Sequence, residues 1–508
     1  MFMKFIFPFV RRAAFLGLLA AASTGCDLLQ QDSPQDFSPD DVFGSPARID
    51  KAVVGIYDGL QDGDFLGSRA LIYSDVRSDD VDPAGAFSSL AFSNIPSSDG
   101  FALGAWAGGY RSMYMANYVI RELEKRNGAG LDAARYNQYI GEAKFARALC
   151  HFTLVNLFAQ PYNYSADASH LGIPIQLTAP DGTEAYQPDQ QLARSSVREV
   201  YAQIERDLLS AVDQLPESQG GGRVSIARAT KDAARGLLSR VYLYKGDNTN
   251  AARYAADIVN SNRHQLNTTA FTEFKTAAGG DQPLTSESIF FIAMSQGDNP
   301  NTNAAIGQHY APTTGDITVT PYRNALPGPA TGSTNATNTD RRRLDMLVLR
   351  SNRWWTRKYT SDLPNGSAGG SNVAAWIPII RYPEILLTRA EALVKLAGSI
   401  TDLQTDTTAL HMLNLVRERS RPLNAARYTK NTFSTKEQFL DAVLRERRFE
   451  LAFEGHRLYD LLRNGRNVPA HGTTSTVQQL DWKSPKSILP IPANEIARNP
   501  NLVQNDTY

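Results

Sequence analysis

Residues 230–261, TKDAARGLLSRVYLYKGDNTNAARYAADIVNS, narrow the choice of fold more than any other stretch of the chain. Apolar side chains recur at helical spacing on both sides of Gly246-Asp247, and that pair ends one helix and begins the next. Ala233, Ala234, Gly236 and Ala255 are small enough for the two helices to approach closely. The stretch predicts a tight helical hairpin, a unit that cannot bury its apolar face alone and so calls for further helices stacked against it.

This unit resembles a tetratricopeptide-type pair, and RYPEILLTRAEALVKLAG with DTTALHMLNLVRERS supplies a second. Helices are also predicted from Pro39 onward with a cap at Ser38 or Ser45, through Trp106–Leu123, over 133–158 with apolar groups on two faces, and from Val197 to a stop at Pro216. The pairs are irregularly spaced and interrupted. Residues 64–105 read as irregular, and 262–376 as a loop-rich insertion in which SESIFFIAMS and WWTRKYT are short strands. The tail after Ser484 is extended and turn-rich. The expectation is a mainly α fold: helix pairs forming a scaffold, with long irregular loops and a few short strands. Residues 46–508 form one body, divided into an N-terminal helical half (46–261), the insertion (262–376) and a C-terminal helical half with its tail (377–508).

Composition excludes some functions. Lys plus Arg and Asp plus Glu both number 52, so the chain has no surplus cationic charge with which to hold nucleic acid. The two cysteines, Cys26 and Cys150, form no C-x-x-C pair, and Cys150 sits in a strong helical run where a buried thiol is expected. No nucleophile elbow, phosphate loop, H-E-x-x-H or dinucleotide fingerprint occurs, and the seven histidines are scattered. The sequence offers no case for an enzyme, a metal centre or a cofactor.

The N-terminus reads as an address. Lys4, Arg11 and Arg12 precede the apolar run Ala13–Ala22, and Ser23, Thr24 and Gly25 lead to Cys26. That run is about half the ~20 residues a spanning helix needs. Residues 1–25 resemble a bacterial lipoprotein signal, with Ser23 where leucine is commoner, which implies lipidation at Cys26. Residues 26–45 then form a polar tether and the start of the body.

Residues 445–465, RERRFELAFEGHRLYDLLRNG, hold nine charged side chains. On a continuous helix Glu446, Glu450 and Glu454 form one column, with Arg447 three before Glu450, Arg457 three after Glu454 and Asp460 three after Arg457. Apolar neighbours on both flanks predict that this column is partly buried, with Arg417, Arg419 and Arg389 as candidate cross-partners. The expected role is to fasten helices together.

These residues also carry a resemblance. GIYDGL, EAKFARALCHFTLVNLFAQP, ARGLLSRVYLYKGD, RYPEILLTRAEAL, LNLVRERS, ERRFELAFEGHRLYDLLRNG and LPIPANEIARNPNLVQN, in this order, resemble the SusD/RagB family of outer-membrane nutrient-binding lipoproteins. The resemblance implies a protein without catalytic residues. It would capture oligosaccharides, or in some members peptides, outside the cell and pass them to a TonB-dependent (SusC-like) transporter. It names no ligand contacts in this chain. Sugars present apolar C–H faces and hydroxyl edges, so rings beside Asp and Arg are the expected lining. YSDVRSDDVDPAGAFSSLAFSN offers Tyr73, Asp75, Arg77, Asp79, Asp80, Phe87 and Phe92; Tyr310, Trp354 and Trp355 form a second set. Strand alternation would turn one of the two tryptophans inward and the other out.

Overall fold

The computed structural model describes residues 38–82, 85–181, 184, 187–275, 285–301, 303–312, 314–329, 335–362, 368–473 and 475–508. The predicted lipoprotein signal and Cys26 lie outside the described residues. At the start of the described chain Ser38 caps the turn Pro39–Val42 through Asp41. Ser45 precedes α1 (Pro46–Leu60) without a side-chain bond.

The scaffold is a succession of packed helices: α2 (Gly100–Lys125), α3 (Ala133–Phe158), α4 (Val197–Gln214), α5 (Lys231–Lys245), α6 (Asn248–Asn260), α7 (Tyr382–Leu396), α8 (Thr408–Glu418) and α9 (Lys436–Glu450). α3 lies between α2 and α4, α5 joins α4 to α6, and α6 packs on α7, which holds α8 and α9. The sequence explains the middle position of α3. Tyr139, Ile140, Phe145, Leu149, Phe152 and Leu157 bury in several directions, and Asp132 caps its start by accepting from Arg135 N–H. Between α5 and α6 the chain turns in two residues, with Gly246 left-handed at φ +83°, a conformation that side chains resist.

Several of these contacts are registered by an enclosed arginine fork. Arg147 on α3 grips Asp207 on α4 at 2.9 and 2.6 Å and reaches Asn117 on α2 at 2.9 Å. Arg228 holds Glu142 on α3 at 2.9 Å through two nitrogens, while Tyr57 of α1 donates to the same carboxylate at 2.6 Å. Arg240 on α5 meets Glu384 on α7 at 2.6 Å twice. Such pairs fix how helices dock more than they add net stability.

Strands are few and short. β1 (Ser288–Ile292) pairs antiparallel with β6 (Ile377–Arg381), β2 (Leu347–Arg350) with β3 (Arg353–Thr356), and β4 (Thr360–Asp362) with β5 (Ala368–Ser371). The β2–β3 hairpin turns on Ser351 and Asn352, both at positive φ as a two-residue hairpin turn requires. Residues 64–105, expected to be irregular, instead contain helices at Arg69–Asp75 and Ser88–Ala91 and the first turn of α2. The charged stretch is also not one helix. α9 ends at Glu450, the chain turns with Phe453 at φ +65° and Gly455 at φ +75°, and α10 (Arg457–Leu462) begins afresh.

Candidate functional site

The chain reversal at Leu451–His456 decides where the charges of residues 445–465 go. Glu450 and Glu454 meet the same guanidinium, that of Arg381 at the end of β6. Arg381 donates Nη1 to Glu450 at 2.9 Å and Nε and Nη2 to Glu454 at 2.7 and 2.8 Å, and its Nη2 also reaches the Glu450 carbonyl at 2.6 Å. Arg419 adds a bond to Glu450 at 2.8 Å, Arg342 meets Glu446 at 2.7 Å, and Lys358 pairs with Glu454. Burial opposes ionisation of both Glu450 and Glu454, yet the surrounding cations outweigh it and hold both carboxyls below the usual range. Among the expected cross-partners Arg419 belongs to this cluster, whereas Arg417 bonds the Ala426 carbonyl at 3.0 Å and stacks on Tyr428. The expected contacts within a single helix do not form. Arg447 turns to Asp460 and Thr388 at 3.1 Å each, and Arg457 leaves both Glu454 and Asp460 for a distant segment.

That distant segment is the acidic loop. Arg457 grips Asp79 at 2.7 and 3.0 Å, and Arg448 donates to Asp80 at 2.6 Å and to the Asp79 carbonyl at 3.0 Å. Asp75 accepts from Tyr310 Oη–H at 2.8 Å and from Gly455 N–H at 3.2 Å. With Asp80 nearby and full enclosure around it, burial pushes the Asp75 carboxyl up to about 8. The two charge-rich features of the sequence are therefore each other's partners.

The nominated ligand lining is corrected accordingly. Tyr73, Asp75, Arg77, Asp79, Phe87, Tyr310 and Trp355 are all buried, none more than 6% exposed, and turn no face to a surface ligand in this structure. Asp80 and Phe87 are each 1% exposed, and Phe87 packs against Phe101 and the His309 ring at 5.0 and 4.9 Å. Tyr310 lies among Tyr359 and Phe453. Asp75 and Arg77 do not pair with each other. The reason is packing: the segment around 73–82 closes over the reversal at 451–456 and needs its rings and acids inside. Strand alternation does separate the tryptophans. Trp355 turns inward and bonds the Arg350 carbonyl at 3.3 Å, while Trp354 is half-buried with the Arg323 guanidinium 5.0 Å over its ring.

The two nominated loops nevertheless meet. Asp82 N–H donates to Thr318 O at 2.8 Å, Tyr322 N–H to Asp80 O at 3.1 Å, and Val319 N–H to Trp354 O at 2.8 Å. What these segments leave to solvent includes the half-buried Trp354, Phe92 at 44% exposure, and the partly exposed Asp316 and Gln308. Arg323, buried with its guanidinium over the Trp354 ring, backs this surface from inside and carried no signal in the sequence. Arg381 could have been found as the lone charge closing the apolar run IPII. A separate open crevice of about 490 Å³ lies between α2 and residues 177–180, lined by Asn117, Arg121, Glu124, Thr178, Glu184 and Gln190. No helix among the described residues is long and apolar enough to cross a membrane.

Comparison with known proteins gives this helix-pair scaffold its relatives. A family model described as "Starch-binding associating with outer membrane" matches residues 27–243, and the SusD family model matches residues 349–508. The chain belongs to the SusD/RagB family. It is 24% identical to SusD-like protein P2 of Formosa agariphila over 96% of this chain and 98% of that one. It is similar in structure to a Bacteroides vulgatus protein named for sugar binding, with 26% identity, a TM-score of 0.73, and coverage of 91% of this chain and 98% of the other. A SusD superfamily protein of Bacteroides thetaiotaomicron matches at 25% identity and TM-score 0.73, covering 90% and 99% of the two chains.

Proposed function

We propose that this protein is a lipid-anchored outer-membrane binding protein that captures nutrient oligomers, above all oligosaccharides, at the cell exterior and delivers them to a TonB-dependent transporter. The observation that carries the reading is its likeness, over 91% of the chain, to a protein named for sugar binding, together with a family model whose description joins starch binding to the outer membrane. Cys26 is the anchor, and the role is capture without catalysis. The ligand lies across the surface where the two loops meet. There Trp354 and Phe92 offer ring faces to the C–H faces of a sugar, and Asp316 and Gln308 bond its hydroxyls.

Affinity electrophoresis of residues 27–508 through gels containing a panel of polysaccharides tests this. Retardation by one polymer, lost in Trp354→Ala and accompanied by no shortened products, is the expected result. Retardation by none, with a peptide ligand recovered instead, replaces the sugar with a peptide. Shortened products make the protein a hydrolase. Co-purification of the wild type, but not Cys26→Ala, with a β-barrel transporter from outer membranes tests anchor and partner together.

A further inference from the structure

Arg77 stands apart from every other arginine of the buried network. It is 2% exposed, and none of Nε, Nη1 and Nη2 has a hydrogen-bond partner among the described residues. The acids that precede and follow it are committed elsewhere: Asp75 to Tyr310 and Gly455, Asp79 to Arg457, Asp80 to Arg448. Asp460 is likewise taken by Arg447 and Arg463. The groups that act on the Arg77 guanidinium are the phenols of Tyr459 and Tyr508, which carry no charge at neutral pH. Burial lowers its pKa, but an arginine starts so high that it stays protonated.

A guanidinium enclosed away from water and without a counter-charge is the costliest polar arrangement a protein core can hold. The guanidinium presents its five donors around one plane, two along each edge it offers, and a side chain 2% exposed favours a small occupant against one such edge. A carboxylate or phosphate is both larger and more strongly hydrated than a halide. We propose that Arg77 forms a buried site for a small monovalent anion of the halide class, and that the anion serves as the missing counter-charge. Arg77 belongs to the 75–82 segment, so anion occupancy stabilises the acidic loop next to the candidate ligand surface. The proposal is independent of which ligand that surface takes.

Two measurements test it. Crystals of the protein soaked in bromide should give an anomalous peak within hydrogen-bond distance of the Arg77 guanidinium. The melting temperature of the wild type should also rise by about 2 °C or more when gluconate is exchanged for chloride at constant ionic strength, the size expected when free anion reaches tens of Kd. Arg77→Met should lose that chloride dependence and Arg77→Lys should keep it. If Arg77→Met fails to fold, the bromide peak and the wild-type melting series still decide. No peak together with equal melting temperatures overturns the proposal and leaves water around the guanidinium. A peak without any chloride effect on melting means an adventitious ion only, and overturns it equally.

Discussion

Replacing Arg381 by methionine keeps most of the side-chain volume and removes the charge on which Glu450 and Glu454 converge. Four hydrogen bonds of 2.6 to 2.9 Å disappear, to Glu450 at the end of α9 and Glu454 in the reversal after it, with a longer fifth at 3.5 Å to Glu287. Bonds to charged groups are worth about 1.5–3 kcal/mol each in mutational series, so simple addition would give roughly 6–12 kcal/mol. Addition is the wrong rule here, because removing one partner of a buried pair costs about 3–5 kcal/mol in total. Glu450 keeps Arg419 and Arg342, and Glu454 keeps Lys358, so the lower end applies: about 3 kcal/mol. Urea denaturation at pH 7, followed by circular dichroism, reads this as a lower midpoint at unchanged slope. The sign with pH follows from the depressed carboxyls. Their contribution is complete above the unfolded glutamate value near ~4.3 and is lost as pH falls through the folded values. The gap between wild type and Arg381→Met should therefore narrow from pH 7 to pH 3. A loss below about 1 kcal/mol, the range of an exposed pair, or a gap indifferent to pH, would refute the claim that Arg381 is the centre of the network.

Asp75→Asn should raise stability at pH 7.5 and leave it nearly unchanged at pH 4. A carboxyl raised to about 8 is held neutral in the fold while the unfolded chain ionises, so its contribution is full below the ordinary aspartate range and declines as pH rises toward 8; thermal melts at the two pH values check this. Trp354→Ala should weaken oligosaccharide binding about tenfold without moving the melting temperature, since loss of one stacking ring is worth about 1–2 kcal/mol. Phe87→Ala should do the reverse, costing about 3–5 kcal/mol of stability as a large buried ring is deleted, with binding per folded molecule retained. Gly246→Ala should cost about 1 kcal/mol by denaturant titration, because its left-handed φ of +83° disfavours a side chain although space around it is open.

How much of this was legible before the structure depends on the range of the interaction. α3, α4 and the α5–α6 hairpin are written in local periodicity, and helices obey local rules. The acid column at 446, 450 and 454 was read correctly as partly enclosed and incorrectly as helical, because nothing in LAFEG announces a reversal until Phe453 is seen at positive φ. The cross-partners Arg342, Lys358 and Arg381 lie 69–108 residues upstream of the glutamates they hold, and sequence alone cannot pair them. The same limit explains the misplaced ligand lining. DVRSDDVD has the composition of a solvated loop, and its burial follows from Arg448 and Arg457, whose need for acids was visible while their choice of acids was not. Trp354 was recoverable because strand alternation is local.

The pairing of Asp79 and Asp80 with Arg457 and Arg448 spans 378 and 368 residues of chain. Until the last eighth of the protein has been made, the first loop carries acids that have no cation to enter the core with. A ribosome or a secretion pore releases the chain from its N-terminus, so this joint is among the last that can close, and loop closure over such a distance is slow. A chain interrupted before Arg448 keeps its helical hairpins, whose contacts are local, yet leaves the 75–82 segment open. The joint thus works as a proof of completeness: the loops of the candidate binding surface take their final positions only in a molecule whose far end has arrived.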